Sequence, residues 1–336
     1  MQKPIPLSYG ADASGLICCY AFNTDGSRSL DSGALTDWLS QTETSDELIW
    51  MHLNLSPASA ELWLRQHLQL PETFFDALHE GVRATRIERA DDALIAVMND
   101  VLFDFSFDAS DISTLWLAVT PRIVVTARLR PLRSIDRLRV AVKEGECFAS
   151  TTAILVHLLR DQADVLTLIV RDIADKTDQI EDHLLANRLD QHRANLGTMR
   201  RLLVRLQRLL APEPSALFRL LNRPPLWIND DDRQDLRQST EEFATVIQEI
   251  IALQERIKLL QEEIAAQINE QTNRSLFVLT TVSVLALPIN IIAGFLGMNV
   301  GGIPLTDSPH GFWVIVLIVA SFTAVAVYWV FGRGRD

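Results

Sequence analysis

The C-terminal part of the chain has almost no charge. From Ser275 to Gly332 there is no lysine or arginine and a single acidic residue, Asp307. Such a stretch cannot form the solvated surface of a soluble domain. Other absences narrow the function. There is no Gly-rich phosphate loop, no H-E-x-x-H and no G-x-S-x-G, so no catalytic motif points to an enzyme. The three cysteines, Cys18, Cys19 and Cys147, show no paired-ligand spacing and read as reduced, packed thiols. Basic excess is also missing. With 31 Lys and Arg against 43 Asp and Glu, the net charge is −12, which argues against a nucleic-acid partner and favours cations near the surface. The start, MQKPIPLSYGAD, carries no apolar run of the signal-peptide kind.

What fills the charge-poor stretch is two apolar runs, Ser275–Leu296 and Phe312–Phe331, of 22 and 20 residues. At about 1.5 Å per residue each spans a hydrocarbon core of about 30 Å. Arg274 precedes the first run, and Arg333 and Arg335 follow the second, while 297–311 has no Lys or Arg. The positive-inside rule therefore places both termini, and about 270 residues before the first span, in the cytoplasm.

Upstream, β-prone runs alternate with short amphipathic helices. Strands are expected at 15–23, 47–55, 83–89, 93–103, 113–119 and 122–128, with helices at 57–68 and 71–80 opened by prolines. This pattern predicts a mixed sheet covered by helices. His52, His67 and His79 stand singly and read as structural. From Ser150 long helices take over. The helix expected at 151–186 carries Asp161, Asp164, Asp172, Asp175, Asp178, Glu181 and Asp182 on its polar face. The next, at 191–210, carries Arg193, Arg200, Arg201, Arg205 and Arg208. The succession predicts an antiparallel hairpin with complementary charge. His157 and Asp161, at i and i+4, are candidate cytoplasmic metal ligands, as are Asp178, Glu181 and Asp182; a salt-bridging face is the alternative. Pro212, Pro214, Pro224 and Pro225 mark a connection.

One very long helix is expected from Asp230 to Met298, roughly 100 Å at the usual rise. Phe243, Val246, Ile250, Leu253, Ile257, Leu260 and Ile264 form a heptad seam of the coiled-coil kind. A second stripe, about 200° away, runs Gln248, Glu255, Glu262, Asn269, Asn273, Leu276, Thr280, Ser283, Leu287, Asn290, Gly294. Within the span it takes nearly every polar side chain, Thr281 being the main exception. Polar residues in a span face partners or water. Several copies turning this stripe inward would enclose a wet axis; dry helix–helix hydrogen bonding is the alternative. Glu255 and Glu262 are further candidate cytoplasmic metal ligands.

The first span closes on Gly297-Met298-Asn299. With the order of α/β domain, helix hairpin, stalk, proline-bearing span, short loop, second span and basic tail, it resembles the CorA metal-ion transporter family over essentially the whole chain. The segment Val300-Gly301-Gly302-Ile303-Pro304-Leu305 resembles the zinc-transporting ZntB branch rather than magnesium-type members. The resemblance implies an α+β cytoplasmic domain of α/β/α type, a pentameric funnel in the bacterial inner membrane and a pore lined by Asn273, Leu276, Thr280, Ser283, Leu287, Asn290 and Gly294. Gly297, Met298 and Asn299 would form the selectivity signature, and Asp307 and His310 would ring the outer mouth. The divisions expected are 1–149 (α/β domain), 150–229 (helical hairpin), 230–273 (stalk), 274–298 (first span), 299–311 (external loop), 312–332 (second span) and 333–336 (tail). No cofactor is expected. The expected partners are further copies of the chain, membrane lipid and divalent metal ions. The function implied is divalent metal transport, with Zn²⁺ uptake, possible proton coupling, and either a Mg²⁺/Co²⁺/Ni²⁺ channel or a non-transporting coiled-coil scaffold as alternatives.

Overall fold

A computed structural model describes residues 10–24, 26–40, 47–79, 85–108, 110–185, 192–298 and 309–332. They fall into two compact units, Met1–Gln261 and Glu262–Asp336.

In the first unit a seven-stranded sheet has the order β2-β1-β3-β7-β6-β5-β4. Its strands are β1 (Leu16–Asn23), β2 (Gly26–Ser29), β3 (Leu48–Asn54), β4 (Arg86–Ala90), β5 (Ala93–Val101), β6 (Ile112–Val119) and β7 (Ile123–Arg128). Every pairing is antiparallel except β3 with β7. The sheet is thus mixed, as the sequence predicts.

The two-residue period of a strand sends alternate side chains to opposite faces, and here both faces are covered. In β5, Leu94, Ala96 and Met98 enter one core while Ala93, Ile95 and Val97 enter the other. All nine β5 residues are buried, which explains their nearly continuous apolar run. One core is closed by Leu35 and Trp38 of α1 (Ser32–Ser40), Leu64 of α2 (Ala58–His67) and Phe74 and Phe75 of α3 (Glu72–His79). The other is closed by Ile135 and Leu138 of α4 (Arg133–Lys143), Leu155 and Leu159 of α5 (Thr151–Leu185), Leu217 and Leu221 of α7 (Pro212–Asn222), and Leu236 of α8 (Asp230–Leu296). Helix α6 is His192–Leu210 and α9 is Gly311–Gly332.

Two departures have plain causes. The connection expected around Pro212 and Pro214 is in part α7, because proline fits a helix's first turn, where its missing N–H is not needed. The hairpin's charges do not complement each other as expected. Acids of α5 pair instead with Arg256 of α8, Lys176 of their own helix and Arg137 of α4. Arg200, Arg201, Arg205 and Arg208 meet no carboxylate among the described residues.

The single histidines have structural partners. His52 is fully buried; its Nδ1 lies 2.8 Å from Thr126 Oγ1, and its Nε2 accepts from Arg128 Nε at 2.9 Å. That donor set fixes a neutral ring, and burial holds its pKa well below the ordinary histidine range. His67 and His79 each place Nδ1 2.9 Å from the carbonyl four residues back.

Glu213 is also fully buried. It accepts from the Asn99 N–H at 2.9 Å and the Gln162 side-chain amide at 3.1 Å, pinning α7 and α5 to β5. Burial pushes its pKa well up from the usual range. Glu213→Ala should strand two buried donors and cost about 2–4 kcal/mol of stability. Denaturant unfolding of the full chain would check this; a change below about 0.5 kcal/mol would show that water replaces the carboxyl without loss.

Candidate functional site: the exposed face of the long helix

Helix α8 begins on an N-cap. The Asp232 N–H donates to Asn229 Oδ1 at 2.7 Å, and Asp230, Asp231 and Asp232 occupy the first turn, where negative charge offsets the helix dipole. Ser150 caps α5 in the same way through the Ala153 N–H at 3.0 Å, and its hydroxyl donates to Asp232 at 2.8 Å. The starts of the two long helices are thereby tied together.

From Phe243 to Ile264 every residue of the heptad seam is buried within the single chain. Arg256 bridges to Asp178 at 2.6 Å and also reaches Glu181, so α5 lies along one side of α8. Arg200 reaches Gln261 at 3.4 Å, so α6 lies along the other. The seam is therefore filled by the chain's own hairpin rather than by a second copy. Arg256 is the residue that sequence reasoning missed. A lone arginine facing a helix of unpaired acids was the available signal.

In the second unit, two helices are long and apolar enough to cross a membrane. Their most apolar windows have mean hydropathy 2.2 in α8 and 2.3 at Gly311–Tyr328. Coverage is one-sided on each. On α8, Thr281, Leu285, Pro288, Ile289 and Ile292 are wholly or partly covered; on α9, Gly311, Ile315, Val319, Thr323 and Ala326 are. On α8 the polar stripe lies about 160° around the helix from that covered face. Gln248, Glu255, Glu262, Asn269, Asn273, Leu276, Thr280, Ser283, Leu287, Asn290 and Gly294 are all exposed. Thr281, the polar exception, is the most covered of the first-span residues, 9% exposed.

One stripe hydroxyl needs no external partner for its donor. Ser283 Oγ donates to the Leu279 carbonyl at 2.9 Å, which leaves its lone pairs outward. Pro288 has no N–H, so the Val284 carbonyl loses its usual intrahelical donor, on the flank of the same stripe. The exposed face thus offers oxygen acceptors, among them the carboxamides of Asn269, Asn273 and Asn290, and contains no imidazole or thiolate.

At the end of α8, Gly297 donates its N–H to the Ala293 carbonyl at 2.9 Å, and an added Cβ would stand 3.1 Å from that oxygen. A side chain there would strain the close of the helix. Met298 is exposed, and His310 is exposed at the start of α9, where its carbonyl accepts from Val314 N–H at 3.2 Å. Asn299 and Asp307 lie outside the described residues.

The cytoplasmic metal candidates do not converge. Among the described residues no group of three or more His, Cys, Asp or Glu is placed to hold a metal ion. Glu255 pairs with Lys258 at 3.3 Å, and Glu262 is exposed. His157 is instead an ion-pair centre: Nε2 lies 3.3 Å from Asp161 and Nδ1 3.2 Å from Glu146. The hydrogen bond to Asp161 raises its pKa above the ordinary 6.5, with burial opposing. A raised folded-state pKa gives stability that is complete below 6.5 and is lost as pH rises through the folded value. Asp161→Asn should bring the His157 titration down toward 6.5 and flatten stability across that window. An NMR titration of the imidazole that stays unmoved would contradict the pairing.

Comparison with known proteins agrees with this architecture. A family model described as "CorA-like Mg2+ transporter protein" matches residues 45–333. The divalent cation transporter CmaX of Pseudomonas aeruginosa is 29% identical over 331 residues, covering 96% of this chain and 97% of that protein. The zinc transport protein ZntB of Pectobacterium carotovorum is 24% identical, covering 85% and 87%. The solved structure of full-length CmaX superposes with a TM-score of 0.78 at 28% identity, covering 97% of this chain and 99% of that one. The CorA magnesium transporter of Methanocaldococcus jannaschii shares the fold, with a TM-score of 0.74 at 20% identity and coverage of 92% and 96%. The chain, with its α/β unit, long helix and two apolar C-terminal helices, belongs to the CorA-like Mg²⁺ transporter family, whose members are ion transporters and not enzymes.

Proposed function

We propose that this chain carries divalent cations into the cytoplasm, Zn²⁺ among them, through a pore on the axis of a homopentamer lined by the α8 stripe. The observation that carries the reading is the stripe's exposure along its whole length, opposite the partly covered face at Thr281, Leu285 and Ile292. An amide or hydroxyl facing lipid is unfavourable, and a ring of copies turning this face inward removes that cost. Both termini lie in the cytoplasm of a bacterial inner membrane, and a negative-inside potential favours entry by about 2.3 kcal/mol per charge per 100 mV.

The stripe's chemistry argues for loose selectivity. Zn²⁺ prefers nitrogen and sulfur ligands, whereas this face presents oxygen. Ions would cross largely hydrated, their first-shell waters donating to neutral oxygens, and weak binding of that kind permits release. The greater likeness to CmaX than to ZntB favours a broad divalent substrate range over zinc alone. Purified protein in liposomes, assayed for ⁶⁵Zn²⁺ flux under imposed pH and voltage gradients with Mg²⁺, Co²⁺ and Ni²⁺ as competitors, tests the reading. Voltage-driven inward flux that competing dications reduce is expected. Absence of flux for every ion would leave a membrane-tethered scaffold.

At the outer mouth Asp307 would raise the local dication concentration, and His310 would oppose entry when protonated in mildly acidic surroundings. Asp307→Asn should raise the half-saturating cation concentration severalfold at low ionic strength and less at high salt, where the attraction is screened. Unchanged flux in the Asp307→Asn, His310→Gln double variant would show that both residues merely solvate the loop.

A further inference from the structure

Seen down α8, successive residues step by about 100°. Arg256 stands six positions before Glu262 and so lies about 120° to one side of the stripe. Gln261 stands one position before it and lies about 100° to the other. Because Arg256 contacts α5 and Gln261 contacts α6, the two hairpin helices flank α8 on opposite sides of the stripe. If the stripe faces an axis, α5 faces one lateral neighbour and α6 the other.

The outward faces of these helices carry opposite charge. On α6, Arg200, Arg201, Val204 and Arg208 are exposed and Arg205 half-exposed. With Gly197 and Gln261 they line an open groove of about 560 Å³. None of these arginines meets a carboxylate among the described residues, and Arg205 Nε is buried without an acceptor. In a chain with 12 more acidic than basic residues, four arginines without acids are unexpected. On the outward face of α5, Asp175 and Asp182 are exposed and pair with no cation among the described residues, and Gln179 stands between. The spacing matches: Asp175 to Asp182 and Arg201 to Arg208 each span seven residues, about 10 Å. Gln179 and Val204 occupy equivalent midpoints for an antiparallel approach.

We propose that the arginine face of α6 docks on the Asp175–Asp182 face of α5 in the next copy of the chain. This inference rests on the homo-oligomeric reading above. The two patches differ and sit on opposite flanks, so the contact is heterologous. A heterologous contact gives a ring when its rotation closes, as the shared axis of the stripe requires, whereas a self-complementary patch stops at a dimer. The device supplies the cytoplasmic unit with a lateral interface that needs no apolar seam.

The test uses the full chain in mild detergent, with mass followed on dilution at low and high salt. Wild type should hold a ring that dissociates more readily at high salt. R201E/R208E should dissociate at a concentration at least about tenfold higher, D175R/D182R likewise, and the combined variant should recover. All four positions changed lie on the surface, and an unchanged circular dichroism spectrum confirms folding. A wild type that is monomeric at every concentration sinks the oligomeric reading itself. A wild-type ring with unchanged dissociation in either charge-reversed set overturns this inference alone. Loss in R201E/R208E that D175R/D182R does not restore assigns the arginines to some other anion, and overturns it as well.

Discussion

Asn299→Ala is expected to reduce cation flux at least about tenfold while leaving oligomer mass and thermal stability unchanged. The reasoning starts from ion hydration. Mg²⁺ and similar small dications give up first-shell water reluctantly, so a filter for them works best on the hydrated ion. Neutral amide oxygens arranged around an axis accept hydrogen bonds from those waters and release the ion again, where a ring of carboxylates would trap it. Asn299 directly follows Gly297 and Met298, at the close of the exposed stripe. Removing one amide per subunit deletes a ring of acceptors without touching the buried seam at Phe243–Ile264. Flux in liposomes and mass in detergent, measured on the same preparation, check both halves. Wild-type flux would mean that the signature closes the helix and does nothing to the ion.

A second large effect is expected from single cysteines along the first span. Replacements at Asn273, Leu276, Thr280, Ser283, Leu287 and Asn290 should react with a water-soluble thiol reagent. Once modified, those from Thr280 onward should hold flux at about a tenth or less, because a bulky charged group blocks a narrow polar path. Replacements at Thr281, Leu285 and Ile292 should stay unreactive, since that face is wholly or partly covered. Leu279 and Val282, exposed but off the stripe, should also resist a reagent confined to water. The contrast between adjacent Thr280 and Thr281 is the sharpest readout. Uniform labelling, or labelling centred on Thr281, would rotate the assigned face and remove the stripe as a lining.

The sequence reveals some elements more readily than others, for physical reasons. Strands β1, β3, β5, β6 and β7 carry apolar side chains on both faces, so their runs are conspicuous. β2 is four residues, Gly26–Ser29, with no apolar member, and no hydrophobic period marks it. Helix α4 is rich in charge, yet Ile135, Leu138 and Val142 at three- and four-residue steps were available as a signal. In α7 the prolines suggested a break, because a proline's position within a helix matters more than its presence. The seam shows the limit best. Its heptad spacing states that a long apolar edge must be covered, and cannot state by whom; Arg256 and Gln261 supply that answer only in three dimensions. For the stripe, the sequence specifies a shared face, and the structure adds that nothing among the described residues covers it.

The intramolecular filling of the α8 seam bears on the order of events in biogenesis. A stalk whose apolar edge waited for other subunits would expose seven large side chains, Phe243 through Ile264, until enough copies had gathered. Here α5 and α6 are synthesised before α8 and stand ready to receive that edge as it leaves the ribosome. Domains emerging during translation fold as units, N-terminal first. The part of the chain before the first span can thus finish its core when residue 264 is available, before Ser275 opens that span. The chain then reaches the bilayer as a folded body with a polar stripe still unmatched, and on the proposed homo-oligomeric reading assembly would recruit finished parts and run little risk of trapping half-made ones.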